Sequence, residues 1–458
     1  MEKSIKKKIS LAVIILIVAA LVGWCVYNAV ISEDGVSEVY KFSSTAVLFI
    51  LIFIIVALGY LLGSVTIKGV NLGTAGVFLV AILFGFLCTL DFGDVPVLGA
   101  FHVTHDSSVV STMGGSIQNL GLIMFVGSVG LIAGPNFFKN LKKNFKTYII
   151  LGGLIILSST LVCVVCNLVF NAYGSGFWTG ILSGALTTTP GFSAAQEAVI
   201  AKYPELTIEV IKKLPEYTSI SLGHAIAYPF GVIGVVLFVQ LIPKFLKVDM
   251  NRERELLKIG GGEKVKSFAG LFNVEAFGLV PVALTVVGGL LLGAVKIPLF
   301  GGSSFSLGTT GGVLIMGLVL GHFGKLGKLS LQVPEQTLKL LREFGLMMFL
   351  LGAGFEGGVN LVSSLAGEGA GMVIWGFVGG ALMTCAPMLV GFIIATKLMK
   401  LPLLNSLGSI TGGMTSTPAL GTLINTAKTE DVASAYASTY PIALVLVVLA
   451  SQLLIVLF

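Results

Sequence analysis

The sequence predicts an all-α polytopic membrane protein. It would hold two inverted repeats, each of five transmembrane helices plus one re-entrant or broken segment, behind an extra N-terminal helix, about eleven spans in all. Three observations carry that prediction: a composition that needs lipid as its solvent, lysines that alternate with apolar stretches, and four short motifs that recur in one order.

Of the 458 residues, 55% are hydrophobic and 11% charged, and 59 are glycine. Such a chain has too little polar surface to cover a water-soluble globule. Its apolar stretches run to about 18 to 27 residues, enough for helices to cross a hydrocarbon layer of about 30 Å, whereas outer-membrane barrels use short alternating strands. The net charge of +6 comes from lysines clustered beside apolar stretches. Membrane insertion and anionic headgroups account for them, and nucleic acid is not an expected partner. Cys163 and Cys166 form a CxxC inside LVCVVCNLV, an apolar context unlike a redox or zinc motif.

The positive-inside rule orders the elements. Lys3, Lys6, Lys7 and Lys8 place the N-terminus in the cytoplasm, and the following apolar run is too long for a signal peptide and reads as a retained helix. Helices near 46–66 and 73–90 lead past Lys68 to an outer loop with Asp91, Asp94 and Asp106. A helix near 117–137 returns to Lys139, Lys142, Lys143 and Lys146, and one near 147–172 leaves again. The stretches 176–200 and 221–243 precede a basic linker with Arg252, Arg254 and five lysines. If both stretches crossed, the linker would lie outside, so the first is expected to be re-entrant, lining a protein cavity. Helices near 276–295, 309–323, 344–361 and 371–396 follow, then a broken segment at 412–421 and a last helix that ends outside. The expected organisation is therefore a membrane helix and outer loop over 1–45, repeat one over 46–243, a cytoplasmic linker over 244–275 and repeat two over 276–458 of an inner-membrane protein.

The repeat is visible in four anchors. Leu72 to Gly76 (LGTAG) matches Leu307 to Gly311 (LGTTG), and Gly121 to Phe125 (GLIMF) matches Gly345 to Phe349 (GLMMF). Thr187 to Pro190 (TTTP) matches Thr415 to Pro418 (TSTP), and Tyr228-Pro229 matches Tyr440-Pro441. With an odd number of spans per repeat the halves are inverted, the architecture of alternating-access carriers.

The two TxTP segments are the sharpest candidates for chemistry. Proline lacks an amide hydrogen and disfavours helix in the residue before it, so each helix is expected to break there. Pro190 and Pro418 suit the first turn of a following half-helix, with Thr187, Thr188 and Thr189, and Thr415, Ser416 and Thr417, supplying cap hydroxyls. Free amides at a helix N-terminus attract anions, so these residues are expected to bind solute. The plain alternative is a pair of proline kinks with self-bonded threonines.

Tyr228 and Tyr440 offer hydroxyls to a solute or serve as interface-belt residues. Arg342, the only arginine outside the linker, is expected to clamp a carboxylate or to anchor at the interface beside Glu343. Glu197 and Glu356 could bind a coupling proton or cation. His224 and His322 read as packing residues, and His102-x-x-His105-Asp106 lacks a further ligand for a metal. No phosphate-binding or catalytic motif is present, so neither a cofactor nor enzymatic chemistry is expected.

Together GALTTTPGFSAA, GGMTSTPALG, LREFGLMMFL, FSLGTTGGVL and the paired Tyr-Pro sites resemble the aspartate:alanine exchanger family, over nearly the whole chain after the first helix. The resemblance implies exchange of amino acids or dicarboxylates. Many members place two soluble regulatory domains between the halves, where this chain has only residues 244–275. A carrier of a small anionic organic solute is the reading preferred over a channel, which would need a continuous polar stripe, or a membrane enzyme. A homodimer is left open.

Overall fold

The computed structural model describes residues 44–67, 70–71, 73–90, 108–261, 271–298, 304–305, 307–367 and 370–458. The N-terminal helix expected over 1–45 and the His102–Asp106 spacing lie outside the described residues. Among those described, six helices are long and apolar enough to cross a membrane: Ser44–Ser64, Ser108–Pro135, Lys146–Val169, Pro215–Phe245, Gly371–Leu398 and Val432–Leu457. Three shorter apolar helices, Gly76–Cys88, Leu279–Gly293 and Gly308–Phe323, accompany them. The chain is thus a mainly helical polytopic membrane protein.

It packs as two compact units. The first contains the described residues up to Ile117 together with Leu351–Ser363. Here α1 (Ser44–Ser64) turns through a two-residue hairpin, β1 (Thr66–Ile67) and β2 (Val70–Asn71), into α2 (Ala75–Cys88). A short α3 (Ser108–Ser111) continues as π-helix over Thr112–Ile117. Gly354 and Gly358 lie against α2, where a Cβ on Gly354 would stand 2.6 Å from the Phe78 carbonyl oxygen. Such close helix contact is what small residues permit in lipid, where burial itself gives little association.

The second unit contains Gln118–Leu350 and Ser364–Phe458. Its first element, α4 (Gln118–Val169), is helical throughout. The sequence had predicted a break between 137 and 147. Pro135 lies inside the helix, but residues 136–146 hold no glycine or proline, and their lysines are good helix formers, so nothing local stops the helix. Its two apolar parts pack on different partners. Near Gly130 and Gly134 it meets α11 (Gly308–Phe323), with a Cβ on either 2.7 Å from a carbonyl oxygen of Leu314 or Leu318. Beyond the lysines, the Ser159 hydroxyl donates to the Met383 carbonyl at 2.9 Å in α13 (Ala370–Ile393).

Two helix pairs repeat one design. α5 (Gly174–Ala185) and α6 (Thr189–Lys202) are followed by a short α7 (Ile208–Ile211) and by α8 (Pro215–Phe245), which opens on a proline. α14 (Leu403–Gly413) and α15 (Thr417–Ala427) are followed by α16 (Val432–Leu457). Gly184 meets the His224 carbonyl and Gly412 the Tyr436 carbonyl, each 2.5 Å from where a Cβ would sit. Four residues on in both cases stands the Tyr-Pro pair. The linker carries an amphipathic α9 (Met250–Gly261), which the sequence reading did not anticipate. α10 (Leu279–Gly293) reaches α11 through a second hairpin, β3 (Ile297–Pro298) with β4 (Ser304–Phe305). A third hairpin, β5 (Lys325–Leu326) with β6 (Leu329–Ser330), precedes α12 (Glu335–Gly367), longer than the expected 344–361. Gly121 of α4 and Gly345 of α12 face one another, each with its Cβ position 2.6 to 2.7 Å from the other's carbonyl oxygen.

Candidate functional site

Both TxTP segments are breaks between half-helices, and both are built from one backbone recipe. At the first, the Thr188 amide donates to the Ser183 carbonyl at 2.9 Å and the Thr187 amide to the Gly184 carbonyl at 2.9 Å. At the second, the Ser416 amide donates to Thr411 and the Thr415 amide to Gly412, both at 3.0 Å. This pair of bonds is a Schellman motif, whose C′ residue adopts left-handed backbone and is usually glycine. Here it is threonine twice: Thr187 has φ 51° and Thr415 φ 50°. A β-branched residue in that region is strained by roughly 1–3 kcal/mol and persists only where its surroundings hold it.

The surroundings that hold it are the other break. The Thr415 hydroxyl donates to the Leu186 carbonyl at 2.6 Å, and the Thr187 hydroxyl donates to the Thr415 carbonyl at 3.4 Å. Each strained threonine therefore serves the chain end of its counterpart. Thr188 caps α6 by accepting from the Gly191 amide at 3.2 Å. Ser416, its counterpart, makes no cap bond, and its buried hydroxyl oxygen has no partner among the described residues. Pro190 and Pro418 fall in the first turns of α6 and α15, where a missing amide costs nothing.

A cavity of about 240 Å³ opens beside the first break. Thr189, Ser193 and Glu197 of α6 line it at four-residue spacing, on one helix face, with Thr309 and Thr310 from the first turn of α11. Two helix N-termini thus border one space, each with amides that its own helix leaves free. A smaller space of about 10 Å³ adjoins it, sharing Thr189, Pro190 and Thr310 and bounded also by Thr187, Thr188, Thr415, Thr417 and Tyr440. Thr417, only 5% exposed, borders this space, and Tyr440 is hydrogen-bonded to Thr310.

Several sequence candidates lie elsewhere. Tyr228 is buried against the His224 ring, 5.3 Å between centroids, and His224 Nδ1 is 2.8 Å from the Ser183 hydroxyl. Glu356 belongs to the first unit and lies against Gly114 of its π-helical turn. Arg342 does not line either cavity. It is 4% exposed and engaged by two carboxylates, Glu343 at 2.8 Å and Glu430 in the turn after α15. The sequence reading missed Thr309 and Thr310 as cavity residues, although it used them as a repeat anchor. It also missed the left-handed threonines, since backbone handedness has no compositional signature at threonine.

The two cross-break bonds differ in quality, which gives an expected result. Thr415→Val keeps the β-branched shape but orphans the Leu186 carbonyl, and should cost about 1–3 kcal/mol. Thr187→Val removes only the long bond and should cost well under 1 kcal/mol. Thermal unfolding in detergent checks the ordering; equal losses would contradict the geometry.

A helical membrane protein with a polar cavity beside paired helix breaks is of the transporter class. The comparisons agree. A family model described as Predicted Permease Membrane Region, Asp-Al_Ex, matches residues 51–244 and 281–456, and the chain belongs to that aspartate:alanine exchanger family. It is 26% identical to an "Uncharacterized transporter" of Bacteroides fragilis, over 88% of this chain and 97% of that protein. It is 24% identical to transporters of Desulfotalea psychrophila (88% and 96%) and Geobacter sulfurreducens (89% and 97%). The alignment to the Bacteroides protein runs to 558 positions, more than the 458 residues here, so that relative holds residues with no counterpart in this chain.

Proposed function

We propose that the protein is a secondary carrier of the inner membrane that exchanges small carboxylate-bearing solutes, such as acidic amino acids or dicarboxylates. In this reading two inverted repeats alternate access to a solute held where the cavity meets the two breaks. The N-terminus is cytoplasmic and the C-terminus outside. The observation that carries it is the mirrored pair of Schellman breaks, joined by Thr187 and Thr415, beside a cavity bordered by the first turns of α6 and α11. Free amides and hydroxyls at helix N-termini favour an anion, and more so away from bulk water. Discontinuous helices meeting near the midplane are how inverted-repeat carriers form their sites. The volume of about 240 Å³ falls below the roughly 300–1,000 Å³ of drug-sized sites and suits a small acid.

Counterflow tests the proposal. Proteoliposomes preloaded with unlabelled succinate or L-aspartate should accumulate the labelled acid transiently and saturably. Conductive, non-saturable flux would indicate a channel, and absence of flux for every carboxylate tried would refute the assignment. Thr189→Val and Thr417→Val should each weaken solute affinity by several-fold to about a hundredfold. If both hydroxyls reach one solute, the double variant should be non-additive; additive losses would leave one break as structure alone.

A further inference from the structure

We infer that the membrane end shared by α8 and α13 binds one anionic phospholipid, its phosphate held by Lys247 and Lys400 and its acyl chains lying along Phe245 and Leu398. The two helices pack in parallel. A Cβ on Gly380 would stand 3.0 Å from Ala227, one on Gly234 would stand 2.9 Å from Thr384, and the Phe238 and Phe392 rings meet edge to face with centroids 6.0 Å apart. Continued at that register, α8 ends at Phe245 level with the π-helical turn Ile394–Leu398 that prolongs α13. Packed helix axes lie about 8–10 Å apart, so lysines at the two ends can reach one phosphate between them.

Both ends finish in the same way. The Lys247 amide donates to the Lys244 carbonyl and the Val248 amide to Pro243, each at 3.1 Å, which is a Schellman turn with Lys247 left-handed at φ 50°. The Leu401 amide donates to the Ala395 carbonyl at 2.9 Å, and Lys400 is left-handed at φ 52°. Lysine is less favourable than glycine in that conformation. What it adds is a cation at the membrane edge. Lys247, Lys397 and Lys400 are exposed, and none has an ion pair among the described residues. The acidic groups around the start of α9 accept backbone amides instead: Asp249 that of Asn251 at 2.9 Å, and Glu253 that of Leu404 at 3.4 Å.

Large apolar side chains stand beside these cations. Phe245 is 74% exposed, Leu246 52% and Leu398 73%. On α13 the exposed apolar row of Leu382, Leu389 and Ile393 ends at Leu398, next to Lys397 and Lys400. Apolar side chains giving way to lysines within one turn mark the boundary between hydrocarbon and headgroups. A soluble anion would use the lysines and leave Phe245 and Leu398 uncovered, whereas an anionic phospholipid matches both. The helices it would bridge also hold the first break, since Gly184 packs on α8 and the Thr384 hydroxyl of α13 donates to the Ala185 carbonyl at 3.2 Å.

Native mass spectrometry of the full-length protein in mild detergent tests the site, with dioleoyl phosphatidylglycerol and dioleoyl phosphatidylcholine as probes. Wild type should hold one phosphatidylglycerol and prefer it over phosphatidylcholine by about twenty-five-fold, roughly fivefold for each of two lysines. Lys247→Gly with Lys400→Gly suits the left-handed backbone, so the fold is kept, and should erase that preference. Lys247→Arg with Lys400→Arg should retain it. Lys212→Gln with Lys213→Gln removes the same charge before α8, at its other end, and should change nothing. Phe245→Gln with Leu398→Gln keeps every lysine and should still weaken binding several-fold. Equal affinity for the two lipids overturns the site, as does a loss in the Lys212 and Lys213 variant equal to that of the glycine pair. Glycerol 3-phosphate competing as strongly as the lipid, or a Phe245 and Leu398 variant with wild-type affinity, overturns the lipid and leaves a site for soluble phosphate.

Discussion

Gly412→Ala should abolish accumulation of folded protein. The added methyl would stand 2.5 Å from the Tyr436 carbonyl oxygen and 3.1 Å from the Tyr436 Cα, all backbone of α16, which has no rotamer to change. α14 and α16 would have to separate, at or above the ~3 kcal/mol upper end of ordinary overpacking. The damage would reach the break as well. Gly412 supplies the carbonyl that receives the Thr415 amide, the bond that closes the Schellman turn. Gly184 holds the corresponding place against His224 and receives the Thr187 amide, so Gly184→Ala should behave alike. Gly153→Ala is the control, because its methyl meets only the Leu446 side chain at an ordinary 3.6 Å. Size-exclusion profiles in mild detergent measure the outcome. A monodisperse Gly412→Ala with wild-type thermal stability would mean that α14 and α16 do not pack this closely.

How much of this was legible can be judged element by element. Apolar length and proline position sufficed for the helices and for both breaks, because lipid leaves the backbone few alternatives and proline acts through its own covalent geometry. The repeat anchors were legible, and they proved to mark contacts: Gly121 against Gly345, Thr187 against Thr415. The long helix through the lysines was not legible, since charge reports sidedness while helix continuity depends on the absence of a stop signal. Nor were the short hairpins, whose strands of two residues leave no periodicity to read. At the site, the sequence pointed to all six hydroxyl residues of the two breaks as solute contacts without distinguishing among them. In the fold Thr189 is exposed to the cavity and Thr417 is buried, while Thr187 and Thr415 bond across from one break to the other. That division follows from the turn: the left-handed C′ position aims its side chain at the other break, and only the folded backbone reveals which threonine occupies it.

Arg342 pairs with Glu343, as one of the two sequence readings allowed, and its removal should have a large effect for a reason unrelated to solute. Read from the sequence, the one arginine outside the linker suggested either a carboxylate clamp or an interface anchor beside Glu343. In the fold its Nη2 donates to Glu343 and its Nη1 to Glu430, while Nε is buried without a partner among the described residues. The guanidinium thus tethers α12 to the turn between α15 and α16, immediately beyond the half-helix of the second break. Arg342→Met should cost about 2–4 kcal/mol, because it strands two carboxylates that the fold keeps mostly from water, although their 34% and 24% side-chain exposure moderates the loss. Arg342→Lys should fall between, since one ammonium cannot span two carboxylates as a planar fork does. Charge removal at all three positions separates tether from clamp. Arg342→Met with Glu343→Gln and Glu430→Gln leaves no stranded charge, and replacing a buried ion pair by neutral groups of similar volume is often near neutral. Detergent stability and solute uptake should therefore both return toward wild type in the triple variant. A triple variant that is stable yet has lost solute affinity would show that Arg342 meets the solute directly in another state of the transport cycle, and the clamp would have to be restored.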